Sequence, residues 1–231
     1  MCTDFTFPPG RVIINAMNTT DFLQKTGFLF DFDGVICDSE KFHHRAWQQV
    51  AGLLGVEFTK EDYVPFQSTG RRVVITELCR RAHRTLTEDL FAQLSEKKSL
   101  CFAAAIRDVG KKDLIPGAED FIKLLFDRNK RLAVASSAST AKEMLDTLDL
   151  SRYFSAVVDG KNGLAKKPDP AVFLAACARL SLSPADCVVF EDSPAGVQAG
   201  LAGGFSVVGI GENVRKFNIP IFADFYQILR A

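Results

Sequence analysis

Short runs that are apolar at every position alternate along the chain with longer stretches in which apolar residues recur every three or four positions. Gly27-Phe28-Leu29-Phe30-Asp31-Phe32 is the first such run, and others cover 131–136, 156–158, 187–191 and 206–210. A run without polar alternation suits a strand covered on both faces, as in a parallel sheet. The stretches between runs have helical periodicity and are bounded by capping or helix-breaking residues. Strand and helix taking turns in this way predicts an α/β fold, a Rossmann-like parallel sheet with right-handed crossovers.

From Ser39 to Leu114 the strand-like runs stop and only the helical period remains. His43, Ala46, Trp47, Val50 and Leu54 fall on one stripe, Ile75, Leu78, Cys79 and Ala82 on a second, and Leu90, Leu94, Cys101 and Ala105 on a third. The pattern predicts a core built from 1–38 and 115–231, with an α-helical cap, 39–114, inserted after the first strand. Met1 to Thr26 is expected to precede that strand as an N-terminal extension. Open α/β sheets bind ligands beyond the carboxyl ends of their strands, where such a cap would sit.

With 231 residues and 47% hydrophobic positions, the chain can bury a full core. Its 28 basic residues equal its 28 acidic ones, so no whole-molecule field gathers nucleic acid or anionic membrane, and neither is expected as a partner. No run reaches the roughly 18 apolar residues of a membrane span, and the N-terminus lacks a basic region followed by an apolar one. The six cysteines contain no CxxC pair and no Cys/His cluster at zinc-ligand spacing, so free thiols in a cytoplasmic setting are expected.

The candidate chemistry lies at the ends of the predicted strands: Asp31-Phe32-Asp33-Gly34-Val35, Ser136-Ser137, Lys166-Lys167-Pro168-Asp169-Pro170 and Glu191-Asp192-Ser193-Pro194-Ala195-Gly196. Taken singly, each has a plain reading as a turn, a helix cap or a solvated loop. Together, and in this placement, they suit phosphoryl transfer. Asp31 would be ionised at neutral pH and needs no base to act as a nucleophile. Its obstacle is charge: two unit charges 4 Å apart repel by about 4 kcal/mol at an effective dielectric of 20. Mg²⁺ would offset that repulsion, held by Asp31 and Asp192, with Glu191 acting directly or through water. Lys167 would add a fixed cation and Ser136 a hydroxyl donor. Asp33, on the turn, can protonate the leaving oxygen and later deprotonate the attacking water or hydroxyl.

These four segments resemble the motifs of the haloacid dehalogenase superfamily, and the resemblance, from about Gly27 to Gly211, is to its β-phosphoglucomutase-like branch. It implies an aspartyl-phosphate on Asp31, and Asp33 as acid/base with its backbone carbonyl among the metal ligands beside Asp192. It also leans towards a monomer. The similarity extends to Asp38-Ser39-Glu40 and to His43-His44-Arg45-Ala46-Trp47. It suggests His43, Arg72 and Lys98 of the cap, with Ser137 of the core, as residues that bind substrate.

Phosphatases and phosphomutases share the first half-reaction, so the motifs leave both open. After the second motif the mutases usually offer a Ser-Lys-Asn-like set, whereas this chain reads Ser136-Ser137-Ala138-Ser139-Thr140. The expectation is therefore a Mg²⁺-dependent phosphatase of a small phosphorylated metabolite, such as a sugar or polyol phosphate, with a β-phosphoglucomutase-type mutase as the alternative. A non-catalytic binding protein on the same fold would be marked by a broken motif, and none is broken.

Overall fold

The structure is a computed structural model that describes residues 21–66 and 69–231. Its strands are β1 (Gly27–Phe30), β2 (Arg131–Ala135), β3 (Ala156–Val158), β4 (Cys187–Glu191), β5 (Ser206–Ile210) and β6 (Ile221–Phe222). They form one sheet in the order β3-β2-β1-β4-β5-β6, with every pairing parallel. β1 is buried at all four positions, as its unbroken apolar sequence requires of a central strand. β6, only two residues long, was not expected from the sequence.

The helices in chain order are α1 (Glu40–Leu53), α2 (Lys60–Tyr63), α3 (Arg71–Arg81), α4 (Glu88–Ala105), α5 (Ala118–Asp127), α6 (Ala141–Thr147), α7 (Ala171–Arg179), α8 (Pro194–Ala202) and α9 (Phe225–Leu229). Successive side chains of a strand point to opposite faces, and β1 splits accordingly. Phe28 and Phe30 pack with Phe121 of α5, Met144 and Leu145 of α6 and Phe225 of α9. Leu29 faces the other way, onto the cluster holding Phe173 of α7 and Val197 of α8. Phe30 stacks on Phe190 of β4 at 4.9 Å between ring centroids, an offset aromatic contact across neighbouring strands.

Helices α1 to α4 all fall between β1 and β2 and have a core of their own, in which Trp47, Val50, Phe58, Tyr63, Ile75, Leu78 and Leu94 pack together. Phe42 and Ala46 of α1 and Cys101 and Phe102 of α4 join the sheet-face cluster instead, which seats this helical segment on the sheet. The two connections to it run side by side. Asp38 N donates to Asp113 O (2.8 Å), Ile115 N to Ile36 O (3.0 Å), and Lys41 is ion-paired with the buried Asp113 carboxylate.

The expected extension over 1–26 has its first twenty residues outside the described residues. Its remaining six belong to the fold: Asp21–Gln24 form a 3-10 turn, Phe22 is buried beside Phe190 and Phe222, and Thr26 N donates to Asp186 O. Among the described residues no helix is long and apolar enough to cross a membrane.

Candidate active site

β1 and β4 are the adjacent strands at which the order of the sheet reverses, the place where open α/β sheets leave a crevice beyond their carboxyl ends. Asp31 follows β1, tied by its N–H to Phe190 O at 3.0 Å, and Glu191 ends β4. Beyond Asp31 the chain turns at once. Gly34, at φ +78°, lies in the left-handed region that favours glycine, and its N–H closes the turn on Cys37 O at 2.8 Å. A Cβ at Gly34 would run into the Asp192 carboxylate, so glycine is also what lets the two acid-bearing loops approach.

Lys167 arrives from the loop before α7 and forms ion pairs with Asp31 and with Glu191 Oε1, the latter at 2.5 Å, while its Nζ lies 4.6 Å from the centre of the Phe173 ring. Glu191 is fully buried, and its Oε2 accepts from Asp192 N (3.0 Å), Ser193 N (3.0 Å) and Ser193 Oγ (2.9 Å). Ser193 in turn caps α8 by accepting from Gly196 N at 3.1 Å, ahead of Pro194 at the first helical position. Glu191 therefore anchors both the lysine and the loop that presents Asp192. Asp33 accepts hydrogen bonds from Ser39 and from Ser136, at the end of β2. Ser136 Oγ also accepts from Ala138 N at 3.0 Å, which shapes the loop in which exposed Ser137 lies.

The charges in this crevice do not balance. Burial pushes Asp31 up to about 8, with Glu191 and Asp33 adding to the rise and Lys167 opposing it. Burial and the same neighbouring carboxylates push Asp192 up to about 9. Asp33 is raised too, chiefly by burial, against the hydrogen bonds of Ser39 and Ser136. Lys167 is raised as well: burial alone would lower it, but Asp31 and Glu191 outweigh that and hold its ammonium charged. The carboxylates share one close cation and stay short of positive charge. Oxygen atoms of Asp31, Glu191 and Asp192 lie within 4.8 Å of one another, and an all-carboxylate donor set with few ligands suits a small hard cation such as Mg²⁺.

The predicted residues of the helical segment divide. Lys98 is buried on α4, its Nζ 2.7 Å from His43 Nδ1 on α1. An ammonium can only donate, so Nδ1 accepts and the ring proton is assigned to Nε2. His43 stacks on Phe102 at 4.1 Å, and burial beside Lys98 lowers it to about 3, so it is neutral. Lys98 lies 4.2 Å from the centre of the Phe102 ring, is brought down to about 7 chiefly by burial, and its charge reaches Asp33. Arg72 points elsewhere. It is exposed, forms a two-pronged salt bridge with Glu88 at 2.8 and 3.0 Å, and lies over the Phe91 ring. The arginine turned toward Lys98 and His43 is Arg71, which donates to Ser95 O (2.9 Å) and Ser99 Oγ (3.0 Å) and whose charge both those residues feel. The sequence named Arg72 rather than Arg71 of this pair, and it gave no role to Ser39, although Ser39 lies in the Asp38-Ser39-Glu40 segment.

This fold and this set of strand-end residues define a phosphoryl-transfer type of crevice, and the comparisons agree with it. The haloacid dehalogenase-like hydrolase family matches residues 25–204, and the chain belongs to that family. It is 31% identical over 186 residues to a β-phosphoglucomutase of Bacillus subtilis, covering 80% of this chain and 82% of that protein. It is 29% identical over 185 residues to the fructose-1-phosphate phosphatase YqaB of Escherichia coli, covering 80% and 95% respectively. Among solved structures, a β-phosphoglucomutase of Clostridium difficile shares the fold with a TM-score of 0.76 at 24% identity, over 88% of this chain and 93% of that one.

Proposed function

We propose that the chain is a Mg²⁺-dependent phosphatase of a small phosphorylated metabolite, a sugar or polyol monophosphate, that works through an aspartyl-phosphate on Asp31. The observation that carries the reading is the convergence of Asp31, Asp33, Ser136, Lys167, Glu191 and Asp192 on one buried crevice with too little positive charge. Bound there by Asp31, Asp192 and the backbone carbonyl of Asp33, Mg²⁺ would neutralise the phosphate and the carboxylates as they meet. Glu191, whose oxygens already hold Lys167 and the Asp192 loop, would serve the metal by positioning Asp192 or through a water.

Lys167 fixes the Asp31 carboxylate and faces the transferred group with a charge that stays on at neutral pH. Ser136 supplies a hydroxyl beside Asp33. Asp31 attacks phosphorus, and the bond from phosphorus to the leaving oxygen breaks. Asp33, whose carboxyl burial pushes above its ordinary range, gives a proton to that oxygen. Now a carboxylate, it takes a proton from the water that attacks the aspartyl-phosphate, which frees inorganic phosphate and restores Asp31.

The helical segment 39–114 is read as a cap over this crevice, with Arg71, Lys98 and His43 facing it and Ser137 on the core side; Arg72 is left to Glu88. Closure of a cap limits substrates to small molecules and excludes bulk water between turnovers. The five described cysteines are free and buried, as a monomer working in a reducing cytoplasm allows. The mutase reading draws on the Bacillus subtilis relative. Against it stands the loop from Ser136 to Thr140, which offers no lysine or asparagine to hold a second phosphate.

Purified protein incubated with Mg²⁺ and a panel of sugar, polyol and nucleotide phosphates, with free phosphate and sugar-phosphate isomers followed separately, tests the reading. Release of phosphate that is lost in Asp31→Asn is expected. Conversion of glucose 1-phosphate to glucose 6-phosphate with little free phosphate would establish the mutase instead.

A further inference from the structure

The two linkers between the sheet and the helical segment meet around one buried acid, Asp113, which has no part in the chemistry proposed above. It ends the 3-10 turn Lys111–Asp113 on the returning linker, and its carboxylate is fully enclosed. Its main-chain carbonyl accepts from Asp38 N at 2.8 Å. Its carboxylate accepts from Gly110 N at 2.9 Å and is ion-paired with Lys41, in the first turn of α1. Asp113 thus grips the outgoing linker on both sides of Ser39. Ser39 is itself buried, and its hydroxyl donates to Asp33 Oδ1. Between them, Cys37 bridges to Asp33 on one side and to Leu114 on the other.

We propose that Lys41 and Asp113 are positioning residues for the acid/base step: their ion pair fixes the backbone at Ser39 and, through its hydroxyl, the rotation of the Asp33 carboxyl. The proposal rests on the phosphatase reading above and adds to it a pair that acts through Ser39 rather than on the substrate. A serine at the start of a helix ordinarily turns its oxygen onto the first amides of that helix, a contact worth about 1 kcal/mol. Ser39 stands at the start of α1 and makes no such bond. Its hydroxyl is committed to Asp33, so the first turn of α1 is held from outside, by Asp113 at Asp38 and at Lys41. Removing the lysine would leave an enclosed carboxylate without its cation, a state the linkers can relieve only by shifting. Such a shift falls on Ser39 first.

The test measures kcat/KM with Mg²⁺ on the full chain for two substrates. One is the sugar or polyol phosphate hydrolysed fastest in the panel, whose leaving alkoxide needs a proton; the other is 4-nitrophenyl phosphate, whose leaving phenolate does not. The variants are Lys41→Met, Lys41→Arg, Asp113→Asn, Ser39→Ala and the double variant Lys41→Met/Ser39→Ala, with thermal melting of each to report folding. A well-placed general acid contributes about 10²–10⁴-fold, and a misplaced one forfeits part of that. Lys41→Met should therefore lose about tenfold or more on the sugar or polyol phosphate and less than about threefold on 4-nitrophenyl phosphate. Asp113→Asn should show the same split, and Lys41→Arg, which keeps the cation, should recover most of the loss. The double variant should be no slower than Ser39→Ala, because the pair acts through that hydroxyl. Equal losses on the two substrates, losses that multiply in the double variant, or Lys41→Met within about twofold of the parent overturn this inference and leave the phosphatase standing. A parent that hydrolyses no sugar or polyol phosphate overturns both together.

Discussion

Lys98 is held between the Phe102 and Trp47 rings with His43 as its hydrogen-bond partner, and burial brings its ammonium from 10.5 to about 7. Between those two values the unfolded chain binds a proton that the folded protein does not. This group's contribution to stability therefore rises with pH across that window, and the full penalty of a buried charge is present below about 7. Lys98→Met removes the penalty while keeping the stem that packs on Phe102. The variant should melt about 2–5 °C above the parent at pH 6, with the difference shrinking steadily toward pH 10. A difference of the same size at every pH would show that the amine is not held in a low-dielectric place. The choice between Arg71 and Arg72 also belongs to this scale. Neighbours on a helix differ in direction by about 100°, so whether Arg71 or Arg72 turns toward Lys98 depends on how α3 is rotated. No apolar stripe fixes that at its first two positions, and the outcome is set by the tertiary contacts of Arg71 with Ser95 and Ser99 and of Arg72 with Glu88.

The elements were legible where a period had room to show. The strands β1 to β5 and the helices with clear apolar stripes stand where the unbroken runs and the three-to-four spacing place them. β6 has two residues, too few for any period, and α2 has four. The 3-10 turn over Asp21–Gln24 is equally short, and only the burial of Phe22 against Phe190 and Phe222 draws it into the fold. The strand-end acids could be read because β1 and β4 bring them out at the same end of the sheet. The approach of the loops could not, since it depends on the backbone at Gly34. Gly34→Ala meets two obstacles there: a left-handed conformation that costs a residue with a Cβ about 1–2 kcal/mol, and a methyl aimed at the Asp192 carboxylate. We expect kcat to fall by about 100-fold while the melting temperature drops by only a few degrees, because a small displacement at the reacting centre weighs far more on rate than on folding. Equal activity in the variant would show that Asp192 need not hold its position.

At the scale of the molecule, equal numbers of acidic and basic side chains conceal a local excess of carboxylate at one end of the sheet. Packing that excess into the core is a cost that a bound cation relieves, so Mg²⁺ should stabilise the fold as well as support turnover. At a concentration 100 times its Kd, binding to the native state alone adds about 2.7 kcal/mol. The melting temperature should therefore rise with Mg²⁺ and return on chelation, and the rise should be much smaller in Asp192→Asn. The central claim is that a phosphoryl group is carried on Asp31. It is tested most directly by mixing enzyme, Mg²⁺ and a substrate identified in the panel, quenching in acid within the first turnover, and locating the added phosphoryl group by peptide mass spectrometry. The account predicts the label on the peptide containing Asp31 and none in Asp31→Asn. Steady release of phosphate with the label on another residue, or with no acid-trapped label under conditions that preserve acyl phosphates, would contradict it.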